Sequence, residues 1–163
     1  MATIQIKEGQ TGTVDPADTL VFPGINSCLS ITTVLPQITR LGGHSVLVPE
    51  GAQQTLQQIC DFLNTRKYAD KIFIIGDIGT WNQNWAHLPQ CNHLRVNNTD
   101  VHNVAGIATA LGYTPAKTIL FDTTTGWGEG TYSIYFGFEK NSRSLWATNA
   151  AGKRCIVPGH PSW

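Results

Sequence analysis

TLVFPGINSCLSITTVLPQITRLGGHSVLVP, residues 19–49, decides the fold class. Residues 19–22 (TLVF) read as a short apolar strand, broken by Pro23-Gly24. Residues 27–35 (SCLSITTVL) are rich in β-branched types, with Leu29, Ile31 and Thr33 alternating against Cys28, Ser30 and Thr32. That is the two-residue period of a strand, and Pro36, which cannot donate to a ladder, stops it. Leu41-Gly42-Gly43 reads as a turn or bulge, after which residues 44–48 (HSVLV) form the partner strand of an antiparallel hairpin.

Working outward, residues 3–6 (TIQI) alternate as an edge strand, and Asp15-Pro16-Ala17-Asp18 is a turn. Residues 52–67 predict a helix, with Leu56, Ile59, Cys60 and Leu63 on one face and Gln53, Gln57 and Asp61 opposite. The continuous apolar run KIFIIGD, residues 71–77, predicts a strand covered on both faces. The Trp- and Asn-rich residues 80–90 read as a loop. Thr99-Asp100 is expected to cap a second helix over residues 101–111, ended by Gly112. Residues 118–121 (TILF) predict a strand, 123–130 a glycine-rich loop, and 131–138 (TYSIYFGF) an alternating strand. Residues 145–148 pair with the last of these across an Asn141-Ser142 turn. The order strands, helix, strand, helix, strands, with no repeat or linker, predicts one α/β (α+β) domain over 1–163. Its mixed sheet or sandwich is flanked by two helices.

Composition narrows the function. Eleven basic residues balance eleven acidic ones, and charged residues make up 13%. That is about half the usual ~25%. A neutral chain has no electrostatic draw toward nucleic acid or an anionic membrane, and neither is expected as a partner. No basic-then-apolar leader and no span-length apolar run is present, so a cytoplasmic site of synthesis is expected. The four cysteines, Cys28, Cys60, Cys91 and Cys155, match no small disulfide scaffold and read as free thiols.

Cys28 is the residue with chemical promise. It opens a strand directly after the turn Pro23-Gly24-Ile25-Asn26-Ser27, and backbone N–H groups of Asn26 and Ser27 can serve an oxyanion there. His44, sixteen residues on, opens the paired strand. In a strict hairpin two strand openings lie at opposite ends, so the pair meets only if the strands stagger or the sheet folds. His87, Cys91 and His93 are near one another in sequence but lack a fourth ligand. Gly126-Trp127-Gly128-Glu129-Gly130 has no strand-to-helix context for a phosphate cradle. No metal and no cofactor is expected.

The stretch as a whole resembles the chemoreceptor glutamine deamidase (CheD-like) family. The resemblance rests on Gly24, Ile25, Ser27, Cys28, Gly42, Gly43, His44, Leu47 and Pro49. It extends to Lys71-Ile72-Phe73 and Gly76, to residues 98–111, to Asp122 with Gly126-Trp127-Gly128, and to the opening IQIKEGQTGTVDPADTL. The same cysteine–histidine architecture is shared by the cytotoxic necrotising factor group of deamidase toxins. The resemblance implies a CheD-like layered fold and deamidation of Gln to Glu in a protein substrate. Cys28 would be the nucleophile and His44 the base, paired as a low-pKa thiolate with an imidazolium. It also implies a threonine six residues before the cysteine, where this chain has Phe22. Thr19, a backbone carbonyl near Phe22, or Asn26 is left to orient His44. That departure favours an effector or toxin delivered to a target cell over a receptor-modifying enzyme. A transglutaminase using the same site and a non-catalytic protein-binding module are the alternatives.

Overall fold

The computed structural model describes residues 1–66 and 69–163. In chain order the elements are β1 (Thr3–Gln5), β2 (Thr11–Val14), β3 (Thr19–Ile25), β4 (Leu29–Val34), β5 (Arg40–Ser45), α1 (Leu56–Leu63) and β6 (Lys71–Gly76). There follow α2 (Ile78–Asn84), α3 (Pro89–Asn92), β7 (Arg95–Val96), β8 (Thr99–Asp100), α4 (Val104–Ala110) and β9 (Thr118–Asp122). α5 (Thr123–Trp127), β10 (Tyr132–Glu139), β11 (Ser142–Asn149) and β12 (Arg154–Cys155) complete the chain.

Two five-stranded sheets stack face to face. One has the order β1-β3-β10-β11-β12, the other β2-β5-β4-β6-β9. Period-two alternation divides the side chains of the second sheet between two cores. Phe73, Ile75 and Val34 point into the sandwich and meet Leu20, Phe22, Ile134 and Phe136 of the first sheet. Leu29, Ile31, Ile72 and Ile74 point the other way and meet Leu56, Ile59, Cys60, Val104 and Ile107 of α1 and α4. The molecule is a layered α+β fold, sheet on sheet on helices. β6 lies inside its sheet between β4 and β9 and is buried on both faces, which is why its sequence is uniformly apolar. No helix among the described residues is long and apolar enough to cross a membrane.

α1 exposes the apolar spacing read from the sequence, burying Leu56, Ile59, Cys60 and Leu63. It is shorter than expected. Thr55 caps it through a reciprocal pair with Gln58, and Asn64 ends it. The expected end at Lys67 lies outside the described residues.

Five local expectations are corrected. The pair Gly42-Gly43 is no turn but the middle of β5, and His44 is therefore near that strand's end. A Cβ on Gly42 would stand 2.6 Å from Ile6 Cδ1, and one on Gly43 would stand 2.3 Å from Ile59 Cγ2. The two glycines let one layer close on each face of β5. Pro23-Gly24 does not break β3. The strand continues to Ile25 through a bulge, with Gly24 at φ +71° and the register against β10 shifted between Ile134 and Tyr132. Residues 80–90 are mostly helical, α2 and α3, because Trp81 and Cys91 are buried and hold those turns against the core. Thr99-Asp100 belongs to a small hairpin, β7–β8, and Asn103 caps α4 instead. The glycine-rich segment after β9 opens as α5, capped by Asp122.

Candidate active site

The chain passes between the sheets four times, and two of the crossings lie side by side. β1 leads to β2 through residues 6–10, and β3 leads to β4 through residues 26–28. His44 on β5 lies between them. The β4–β5 register pairs Ser30 with His44 and Leu29 with Ser45, so Cys28, just before β4, sits at the same end of the hairpin as His44. The opposition expected for two strand openings is thus removed: β5 begins at Arg40, and His44 closes it rather than opens it.

The first crossing holds the histidine on three sides. Lys7 to Gln10 form a turn closed by Gln10 N–H donating to Lys7 O at 3.0 Å, with Gly9 at φ +74° as a type II turn requires. Gly9 N–H donates to His44 O at 2.8 Å, and His44 N–H donates to Gln10 O at 3.0 Å. The ring Nδ1 lies 2.9 Å from Ile6 O. A carbonyl only accepts, so Nδ1 carries the proton and Nε2 keeps a lone pair. The Phe22 ring packs edge-on against the imidazole at a centroid distance of 6.1 Å. His44 is 0% exposed, and its Nε2 has no hydrogen-bond partner among the described residues.

The sulfur of Cys28, a nitrogen of His44 and a carboxylate oxygen of Glu8 lie within 4.8 Å of one another. Cys28 is 4% exposed, while Glu8, Asn26 and Ser27 are exposed around it. The second crossing is pinned from the helix layer. Trp81 Nε1 donates to Ser27 O at 2.8 Å, and Asp77 N–H donates to Cys28 O at 3.3 Å. No carbonyl among the described residues accepts from Ser27 N–H or Cys28 N–H.

Burial sets the protonation states. It pushes the Cys28 thiol up from 9.0 to about 12, with the charge of Glu8 adding to the rise and the backbone N–H of Asn26 opposing it. Burial holds the His44 imidazole below its ordinary value, against the pull of the Ile6 carbonyl and Glu8. Both shifts favour a thiol beside an imidazole over the low-pKa ion pair expected from sequence.

The same shifts fix the pH dependence of stability. In the unfolded chain His44 takes up a proton near 6.5, which the folded site resists, so the unfolded state binds more protons and stability falls below that pH. The thiols of Cys28, Cys60 and Cys91 are each raised from 9.0 to about 12 by burial. Above pH 9 the unfolded chain loses protons that the folded one keeps, and stability falls again. Thermal melting between pH 5 and 10 is expected to give a plateau from roughly 6.5 to 9 with a decline on each side. A melting temperature that rises steadily below pH 6 contradicts the buried neutral histidine.

Thr19 is corrected. It lies at the start of β3, paired with Thr3, and its side chain stands over Gly137, where an added Cβ would be 2.9 Å from its Oγ1. Leu20 and Phe22 point into the sandwich, Phe22 against the His44 ring, and alternation sends Thr19 to the outer face. A carbonyl does hold the imidazole, but it belongs to Ile6, whose N–H donates to Val21 O at 2.9 Å, one residue from Phe22. Thr19→Val is expected to leave catalytic turnover within about twofold, read in any assay of the enzyme. A loss of tenfold or more would return Thr19 to the site.

Sequence reasoning missed Ile6 and Glu8. A carbonyl has no residue signature. Glu8 was findable only as the residue before glycine in the turn LysGluGlyGln between two alternating segments. His87 and His93 are exposed while Cys91 is buried under the helices, and the three do not converge. Asp122 caps α5 and accepts from Gly79 N–H at 2.9 Å, a structural task.

No family model matches the chain, and no curated protein matches it. Among solved structures it is similar to the C-terminal domain of CNFy from Yersinia pseudotuberculosis. The TM-score is 0.44 and the identity 6%, over 98% of this chain and 59% of that one. The chain thus spans about three fifths of that structure, and the likeness is a distant one of fold.

Proposed function

We propose that the chain is a cysteine-dependent protein glutamine deamidase. The observation that carries the reading is the buried His44 ring, fixed through Nδ1 on the Ile6 carbonyl with its Nε2 unpartnered, and a ring nitrogen within 4.8 Å of the Cys28 sulfur. Nε2 takes the thiol proton while Sγ attacks the side-chain carboxamide carbon of a substrate glutamine. Backbone N–H groups of Asn26 and Ser27, exposed at the crossing beside the sulfur, meet the oxyanion that forms. His44 returns the proton to the departing nitrogen, and ammonia leaves a thioester on Cys28. His44 next takes a proton from water, whose oxygen cleaves the thioester to glutamate and restores the thiol.

The choice of glutamine rests on the sequence resemblance around Ser27-Cys28 and Gly43-His44. Asn26 and Ser27 are exposed at the crossing, so a side chain on another protein can reach the sulfur. The substitution of Phe22 for the chemoreceptor family's threonine supports an effector acting on a foreign protein rather than receptor modification. A transglutaminase would make the same thioester and release it to an amine.

The test is incubation of wild-type protein and Cys28→Ser with eukaryotic and bacterial extracts, with a labelled primary amine present. Mass spectrometry reads the glutamines. Conversion to glutamate by the wild type alone supports the deamidase. Attachment of the amine supports the transglutaminase. No change at any glutamine, with the protein folded, overturns both and leaves a docking module.

A further inference from the structure

We propose that Glu8, Cys28 and His44 form a three-ligand zinc site, and that a bound zinc ion closes the nucleophile to acyl transfer. The three donors are a sulfur, an imidazole nitrogen and a carboxylate oxygen, a set that zinc takes and that magnesium and calcium do not. They lie within 4.8 Å of one another. In a tetrahedral zinc site with arms of about 2.0 to 2.3 Å, donors stand roughly 3.3 to 3.8 Å apart. Closing the difference takes a small movement, and Glu8 is free to make it as an exposed side chain on a surface turn.

The second, independent observation is His44 itself. Its ring is wholly buried, and its Nε2 has no partner among the described residues. Its other nitrogen donates to a backbone carbonyl, the Ile6 O at 2.9 Å. Zinc-binding histidines are held in this way: the outer hydrogen bond fixes the tautomer and aims the free lone pair at the metal. An unpartnered buried nitrogen is costly in an apolar surround. A metal ion or a reacting proton relieves that cost, and the geometry serves either.

Binding involves no change of oxidation state. The zinc–sulfur bond forms as the S–H bond breaks, and the proton goes to solvent. The Cys28 thiol is the attacking group and Nε2 is the base, so one ion occupies both functions at once. The regulatory consequence rests on the hydrolase reading, while the binding itself does not.

The test uses the chain of residues 1–163. Zinc is titrated in competition with a chromophoric chelator, and cobalt(II) is added to report ligand type by its absorption. One equivalent is expected to bind at micromolar or lower concentration. The cobalt complex should show tetrahedral bands with a thiolate charge-transfer band. Glu8→Gln, an exposed substitution that the fold tolerates, should weaken binding by roughly tenfold or more, and Cys28→Ser should abolish the charge-transfer band. Cys91→Ser should change neither. Zinc should also protect Cys28 from iodoacetamide. Absence of binding at tenth-millimolar zinc overturns the proposal, as does binding unaltered by Glu8→Gln and Cys28→Ser. Deamidation without zinc binding would remove the metal site and keep the enzyme; zinc binding without deamidation would do the reverse.

Discussion

Cys28→Ser is expected to lose at least about a thousandfold in turnover while folding as the wild type does. The loss follows from the site's protonation state. His44 can withdraw a proton from a thiol as the bond forms, but a hydroxyl is several pKa units weaker as an acid and a poorer nucleophile. The Ile6 carbonyl and the imidazole would remain in place with nothing competent to attack. The fold should survive because Cys28 lies at the rim of the inter-sheet core rather than in its middle, and the substitution removes little volume. A melting temperature within about 4 °C of wild type is the expected companion result. Wild-type turnover in this variant would remove Cys28 as nucleophile, and Cys60→Ser is the control that should keep it.

Arg40→Leu is expected to cost about 3–5 kcal/mol of stability, the largest effect of any single substitution considered. Arg40 is wholly buried at the start of β5. Its guanidinium donates to the carbonyls of Phe136, Asp15 and Asp18, each at 2.7 Å. The Trp163 indole lies against it at 4.1 Å, with Trp163 Nε1 donating to Gly137 O at 2.9 Å. One side chain thus joins the second sheet to β10 of the first and to the turn between β2 and β3. Burial lowers its pKa to about 10, with Asp18 pulling it back up and Arg143 adding to the fall, so it stays charged at neutral pH. Leucine would match the apolar volume but leave three carbonyls short of a donor. For a chain of this length the cost is a fall in melting temperature of roughly 10 °C, measurable by calorimetry. Lysine at this position keeps the charge but gathers its donors on one nitrogen, which cannot span carbonyls now divided between two guanidinium nitrogens, and should recover only part. A change under about 1 kcal/mol for Arg40→Leu would mean that the network adds little.

The elements that sequence made legible are those whose own period matches their burial. The β4 strand alternates because its two faces meet different cores, and the run in β6 is uniform because both of its faces are covered. The face of α1 was legible for the same reason. The errors share a cause, which is packing from elsewhere in the chain. Gly42-Gly43 has turn propensity, and only Ile6, Phe22 and Ile59, distant in sequence, make it the middle of a strand. The segment with Trp81 and Trp85 is poor in strong helix formers, and its turns are held by buried indoles donating to Ser27 O and Val101 O.

The site divides in the same way. Cys28 and His44 were readable as a pair of residue types at a turn-to-strand junction. Their approach was not, because it depends on where β5 begins. The orienting group is a backbone carbonyl, invisible in any side-chain pattern. Glu8 is brought to the sulfur by a crossing between sheets that the sequence, read as one hairpin and its neighbours, did not reveal. Arg40 and Trp163 carried no local signal either, since their partners come from both ends of the chain.

The central claim, that His44 activates Cys28, is tested most directly by iodoacetamide modification resolved by peptide. Wild type and His44→Ala are compared at neutral pH, with circular dichroism confirming that both are folded. Cys28 is expected to react faster than the equally raised thiols Cys60 and Cys91, and His44→Ala should slow Cys28 alone by roughly tenfold or more. A Cys28 that reacts no faster than Cys60 and Cys91, and at the same rate with and without His44, would contradict the account.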